Sequence, residues 1–332
     1  MKEKKLLNMG IVGMGKMGLL HASIVSTIPG VRLLAIYDKS AIMKGFAKKA
    51  LNDIQITDSF ARFARLKYDA VYVTTPIPTH FSIIRDIYSK GITNNIFVEK
   101  TLAASYGQSA ELCRESKTAG GVTMVGYMCR FAPTFRKARE LLKEDMIGSA
   151  ISFSAYAYAS DFAGVTGKAL PGKGGATSDL GAHVIDLSLW YFGDLDVEQA
   201  TPGAYIMVKD ESGSRFLVRG QGGLTGEFDI SWCKAGYRLP EFGLAITGPK
   251  GILKVNADLV KLDKSGCETI TWHRQDLNDN VPFLLGASEY YREDEHFIRA
   301  IQEGGSAQPD FNTAAKVDQL IDRVESLKAV NG

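Results

Sequence analysis

The chain has almost no excess charge, no clustered cysteines, no long apolar run and few histidines, and each shortage removes a class of function. Lys and Arg number 39 against 37 Asp and Glu, leaving a formal net charge of +2. That balance argues against nucleic acid or an anionic membrane as the main partner, so any anion must be held by local design. The four cysteines, Cys113, Cys129, Cys233 and Cys267, form no Cys-x-x-Cys and imply neither a structural zinc nor a disulfide framework. Scattered thiols fit a reducing, cytoplasmic setting. No stretch of about 18 apolar residues occurs, which argues against a transmembrane helix. The basic start Met1–Lys5 followed by Leu6-Leu7 has the outline of a signal peptide, but Asn8 cuts the apolar run. No His/Cys/Asp set has metal-ligand spacing, so no metal is expected.

At 332 residues with 45% hydrophobic content, the chain can build about two full domains. Leu6–Val12 reads as a short strand running into Gly13-Met14-Gly15-Lys16-Met17-Gly18, with helical spacing through Leu19, Leu20, Ile24 and Val25. In this arrangement Gly13 permits a tight turn, Gly15 lets a pyrophosphate approach the backbone, and Gly18 allows close helix–strand packing. The helix N-terminus offers free N–H groups and partial positive charge to the phosphates. A lone Gly-x-Gly-x-x-Gly is a weak signal. Here Asp38 answers it at the end of a second strand, Leu33–Tyr37, 20 residues beyond Gly18, where a carboxylate meets the ribose hydroxyls. That acid favours NAD over NADP, although Lys39 next to it could accept a phosphate. Methyl-donor enzymes also use glycine-rich turns and are the competing reading.

Further strands at Ala70–Val73, Ile96–Val98 and Val122–Val125 alternate with helical stretches, including Tyr106–Ala119, and imply a parallel, doubly wound α/β sheet over residues 1–126. Ligands bind beyond the carboxyl ends of such strands. Thr75-Pro76, His80 and Glu99-Lys100 fall there. Residues 127–332 form a second domain of α+β type. Its glycine-separated strands, Gly203–Val208, Phe216–Arg219, Gly226–Trp232, Phe242–Thr247 and Ile252–Val255, suit a large, mostly antiparallel open sheet. Helical stretches return near Glu289–Ile301 and Thr313–Leu327. The lack of a low-complexity linker points to an active site in the cleft between the halves.

The order Gly13–Gly18, Thr75-Pro76, Glu99-Lys100, Gly126-Tyr127-Met128-Cys129-Arg130-Phe131 resembles the Gfo/Idh/MocA family of glucose–fructose oxidoreductases, inositol dehydrogenases and rhizopine-catabolism proteins. Downstream, Gly174-Gly175-Ala176-Thr177-Ser178-Asp179-Leu180-Gly181-Ala182-His183 fits its glycine loop and Asp-x-x-x-His pair. The resemblance implies an NAD(P)-dependent oxidoreductase acting on a secondary alcohol of a sugar or cyclic polyol, assembled as a homodimer or homotetramer through the second sheet. It gives Lys100 the reacting hydroxyl, places Glu99 near the nicotinamide, and makes His183 the general acid/base with Asp179 beside it. Gly13, Met14, Gly15, Lys16, Met17, Asp38, Lys39, Thr75, Pro76, His80, Glu99, Lys100 and Met128 are the implied cofactor contacts. Met128, Arg130 and Tyr237 join the catalytic residues around the substrate.

Plainer roles compete at each position. Residues four apart on a helix face the same way, so Asp179 and His183 can reach one substrate. Equally, His183 could be a satisfied core histidine. Ser178 or Asp179 could cap the helix, with Leu180, Val184, Leu187 and Tyr191 forming its apolar stripe. His21 and His80 match family histidines and read as packing or pocket residues; Trp190 and Trp232 read as core. Lys168 and Lys173 read as a solvated loop. The family usually has proline where this chain has Thr101, which leaves the backbone beside Lys100 open. Nucleotide-sugar 3-dehydrogenation, NAD-retaining glycoside hydrolysis and a non-catalytic dinucleotide-binding sensor are the alternative functions.

Overall fold

The computed structural model describes residues 6–40, 54–160, 175–202, 213–277, 279–283 and 286–331. Lys168, Lys173, Gly174 and the expected strand Gly203–Val208 lie outside them. The chain divides into two compact units: Met1–Tyr127 with Val281–Ala315, and Met128–Asn280 with Lys316–Gly332.

The first unit holds β1 (Leu7–Val12), β2 (Val31–Tyr37), β3 (Gln55–Thr57), β4 (Ala70–Val73), β5 (Ile96–Glu99) and β6 (Thr123–Gly126). They form one parallel sheet in the order β3-β2-β1-β4-β5-β6, the arrangement of a dinucleotide-binding fold. Every residue of β4 and β5 is buried, because helices cover both faces of a doubly wound sheet and leave no polar side. The strand order reverses between β1 and β4, so the crevice opens beside Gly13 and Thr74.

The second unit holds β7 (Ser152–Tyr158), β8 (Leu195–Pro202), β9 (Gly213–Gly220), β10 (Thr225–Ser231), β11 (Glu241–Gly248), β12 (Gly251–Asn256), β13 (Leu259–Lys264) and β14 (Ile270–His273). These form one sheet in the order β14-β13-β12-β11-β7-β10-β9-β8. Only the β7–β10 pairing is parallel among those described. Burial alternates along β9 and β10, so one face is covered. Phe153, Phe216 and Phe228 fill that face, with Phe216 stacked on Phe228 at 4.4 Å and Phe153 on Phe192 of the helix Ala182–Phe192 at 4.7 Å.

The sequence reading omits β3, β7, β8, β13 and β14. β7 carries a period-two signal in Phe153, Ala155 and Ala157, but its alanines are poor strand formers; β8 contains Asp196, Glu198 and Pro202. Residues 281–315 were grouped with the second domain, yet they pack with the first unit. Phe297 of the helix Ser288–Glu303 is fully buried, its ring edge-on to Tyr72 at 5.5 Å and beside Phe97 at 5.8 Å. Helical periodicity marks a buried face without saying which sheet covers it. No described helix is long and apolar enough to cross a membrane.

Phe297→Ala should therefore cost about 3–5 kcal/mol, the usual range for emptying a buried aromatic site. Urea denaturation measures it, and a loss under about 1 kcal/mol would place Phe297 outside the core.

Candidate active site

The turn after β1 is built for close approach. Gly13 has φ +101°, where a side chain is strained, and a Cβ there would lie 2.7 Å from Thr75 Cγ2. A Cβ on Gly18 would lie 2.1 Å from the Gly13 carbonyl oxygen, so only glycine lets the helix Lys16–Val25 come this near. Thr74 closes the turn by donating its hydroxyl to the Gly13 carbonyl at 2.8 Å. Gly15 caps the helix without a side-chain cap, the first turn has no acid, and a Cβ at Gly15 would meet nothing within 4 Å. An uncapped helix start with open space at its glycine fits a phosphate.

Asp38 stands at the same turn. Its Oδ2 accepts the Met14 N–H at 2.6 Å and its Oδ1 the Ser40 N–H at 2.7 Å. The carboxylate is thus anchored to the loop, and its remaining lone pairs can accept hydroxyls. Lys16 and Lys39 are exposed, Met17 is half-buried, and the Met14 side chain is buried. Thr75 and Pro76 follow β4; Thr79 donates its hydroxyl to that of Thr75 at 2.8 Å.

Glu99 ends β5 and Lys100 follows, half-buried. The Lys100–Thr101 peptide bond is cis, although Thr101 replaces the family's proline. His80, read as a packing or cofactor-pocket residue, starts the helix His80–Ser89. It is fully buried, with Nδ1 2.8 Å from the Thr101 carbonyl and Nε2 2.7 Å from the Thr75 carbonyl. Burial pushes its pKa down, against the opposing pull of those carbonyls and of Glu99. Its position at the start of a helix shows in the sequence, but both acceptors are backbone atoms that sequence does not reveal.

His21, read as a packing or pocket residue, is the centre of a buried polar cluster. Nε2 lies 2.9 Å from Glu99 Oε1, and Nδ1 lies 2.8 and 3.0 Å from the two Asp294 oxygens. Burial lowers its pKa, but Asp294 and Glu99 outweigh that and hold it well above the ordinary value. Beside them Glu293 is fully buried, with neither carboxyl oxygen hydrogen-bonded. Burial, then the charge of Glu99, pushes its pKa well up. Asp294 is raised too, chiefly by burial. The sequence offered one signal for this cluster: two adjacent acids on the buried face of a helix.

In the second unit Thr177–Gly181 is a π-helical turn leading into the helix Ala182–Phe192, and neither start has a side-chain cap. Ser178 and Asp179 therefore do not cap the helix; the helical run already includes residues 175 and 176. A π-turn adds a residue per turn and is frequent at functional sites. Asp179 is half-buried and His183 buried, with its ring 4.7 Å from that of Phe242. The expected single apolar stripe is replaced by burial on every side from Ala182 to Ser188.

Arg130, which the sequence offers as a substrate contact, has a guanidinium that grips Asp186 through two buried bonds, Nε to Oδ2 at 2.7 Å and Nη2 to Oδ1 at 2.6 Å. A desolvated fork of this kind is structural, since either partner alone would be a buried charge. Trp190, expected in the core, is half-buried under the guanidinium of Arg139 at 4.2 Å. Trp232 is core as expected. Tyr237 lies in the loop between β10 and β11. Its ring meets Tyr158 at 5.0 Å, and Tyr158 alternates to the sheet face opposite Ala157, whose partner across β11 is Phe242. Loop residues cannot be assigned a sheet face from sequence. Met128 is half-buried and accepts the Cys129 thiol at 3.5 Å.

Two family models match the chain: an oxidoreductase family with an NAD-binding Rossmann fold over residues 7–127, and a GFO/IDH/MocA C-terminal domain over residues 135–254. The chain belongs to the Gfo/Idh/MocA family. It is 27% identical to scyllo-inositol 2-dehydrogenase (NAD(+)) of Bacillus subtilis strain 168 over 55% of this chain and 53% of that protein. It is 22% identical to D-apiose dehydrogenase of Paraburkholderia graminis over 94% of this chain and 85% of that one. Levoglucosan dehydrogenase, solved with NADH and levoglucosan, has the same fold with TM-score 0.85, 20% identity and 98% of each chain covered. As in the family, the first unit is an NAD-binding Rossmann domain, and its glycine turn, open helix start and Asp38 fit that cofactor.

The cluster around His21 gives this family member a pH-dependent stability. A raised pKa in His21, Asp294 and Glu293 means the native state binds more protons than the unfolded one. Their contribution is greatest at low pH and is lost as pH rises from the carboxylate range through neutral. Glu293→Gln keeps the shape without the titration. Its urea midpoint should fall less than that of the native chain between about pH 5 and about pH 9. Parallel curves would show that Glu293 is not the titrating group.

Proposed function

We propose that the chain is an NAD-dependent dehydrogenase that oxidises a secondary alcohol of a small, uncharged sugar or cyclic polyol. The observation that carries this reading is the end of β5. Glu99 and Lys100 stand at the carboxyl end of a strand in an NAD-binding sheet, with Lys100 half-buried where a surface lysine would be costly. The named relatives act on uncharged rings or sugars by their names, which supports the substrate class. The substrate class rests on those relatives and on Met128, with Arg130 and Tyr237 as further proposed contacts.

Bound NAD supplies the hydride acceptor. Lys100 holds the reacting oxygen and stabilises its developing negative charge. His183 takes the hydroxyl proton as the carbinol hydrogen leaves as hydride, so one alcohol yields one carbonyl, one NADH and one proton on the imidazole. Asp179 orients substrate or His183 from the π-turn. The exposed face of the second sheet is the proposed site of homo-oligomer formation.

Lys100→Met should retain NADH binding and lose turnover by about a hundredfold or more. His183→Asn should lose about a hundredfold to ten-thousandfold, and the acidic limb of the oxidation pH profile should go with it. Near-normal turnover in either variant refutes that assignment.

A panel of inositols, aldoses and UDP-sugars, assayed for NADH and NADPH formation, tests substrate and cofactor together. Uncharged rings with NAD should give the higher kcat/KM. A 2′-phosphate about 4 Å from Asp38 costs about 4 kcal/mol at an effective dielectric of 20. Turnover confined to UDP-sugars, or a clear NADP preference, would overturn this reading.

A further inference from the structure

Lys100 sits between two residues that are each held by a fully buried histidine. On the N-terminal side, His21 reaches from the helix Lys16–Val25 to Glu99 Oε1 at 2.9 Å, and Glu99 Oε2 accepts the Lys100 backbone N–H at 3.2 Å. On the C-terminal side, His80 reaches Thr101's carbonyl at 2.8 Å while its other nitrogen meets Thr75's carbonyl at 2.7 Å. Two of the five histidines are thus used on the three residues centred on Lys100.

We propose that His21 clamps Lys100 in place through Glu99, braced from behind by Asp294, with His80 packed against the Thr101 side. This rests on the catalytic reading of Lys100 given above.

The geometry of the His21 arm favours a positioning role over simple packing. A histidine kept only for shape needs no charged partners, and burying charge is costly unless each group is paired. Here a carboxylate faces each ring nitrogen, and only an imidazolium can donate to both at once. The groups facing His21 come from three elements: Glu99 on β5, Asp294 and Glu293 on the helix Ser288–Glu303, and Tyr72 on β4, whose ring lies 5.5 Å away. Glu293 adds a fully buried, unbonded carboxyl beside the cluster. Three carboxyl groups around one imidazole are tolerable when the imidazole is charged and part of the acid is protonated, and the raised pKa of His21 and of Glu293 agree with that state. The consequence is mechanical. With both Glu99 oxygens engaged, the carboxylate cannot rotate without releasing the Lys100 N–H.

The two amide replacements of His21 separate positioning from packing. Gln places its amide N–H near the Nε2 position and can still donate to Glu99. Asn places its own near Nδ1 and can donate only to Asp294. With the best substrate from the panel, kcat should fall about tenfold to a hundredfold in His21→Asn, the scale of a small misplacement of a reacting group, and much less in His21→Gln. Affinity for NADH, read by its fluorescence, should be unchanged in both. Equal kcat in the two variants, or kcat that follows Tm instead of the Gln–Asn order, overturns the clamp. Should the variants fail to fold, ¹⁵N NMR of the native protein without cofactor decides. Two His21 ring N–H signals that persist from about pH 6 to about 8 support the clamp, and a single one overturns it. Activity retained in Lys100→Met would remove the catalytic reading itself. An inactive Lys100→Met beside a fully active His21→Asn would remove only the clamp.

Discussion

The contact on which the first unit depends is the approach of the helix Lys16–Val25 to the end of β1. The backbone at Gly18 comes so close to the Gly13 carbonyl that a single methyl group would lie 2.1 Å from it. Because that space is empty, the helix start points at the crevice where the strand order reverses, and the backbone dipoles of its first turn are available to a phosphate. Asp38 and Thr74 then fix the turn from either side, one through the Met14 N–H and the other through the Gly13 carbonyl. The same helix carries His21 to Glu99, so the phosphate end and the lysine end of the proposed site share one rigid element.

Polar burial divides the chemistry of the chain in two ways. The Arg130–Asp186 pair is charge-matched: a planar fork meets a carboxylate through two bonds, and burial is matched by opposite charge. The cluster around His21 is different, because three carboxyl groups surround one cation and one of them, Glu293, has no hydrogen bond. The first arrangement leaves neither buried charge unmatched. The second must hold protons to remain stable, which makes it a source of pH sensitivity within the core.

What the sequence determined by itself was whatever depends on local spacing. Glycines at 13, 15 and 18 between a strand and a helix dictate a dinucleotide turn: 13 and 18 because a side chain would clash there, and 15 because it leaves the helix start open. Uninterrupted apolar strands dictate a sheet buried on both faces. The order of Glu99-Lys100 and of Asp179 and His183 was enough to resemble the family, and Rossmann fold, NAD and family membership followed. Tertiary structure decided everything that needed a partner distant in the chain. Asp186 lies 56 residues from Arg130, and Asp294 lies 273 residues from His21, so no periodicity could join them. That is why the Arg130–Asp186 pair and the carboxylates around His21 do not show in the sequence, and why the sequence assigns the helix bearing Phe297 to the second domain while it packs with the first unit. The direction of Tyr237 is hidden for a related reason: a loop residue is oriented by the ring it lands on, here Tyr158, and a sequence carries no term for that.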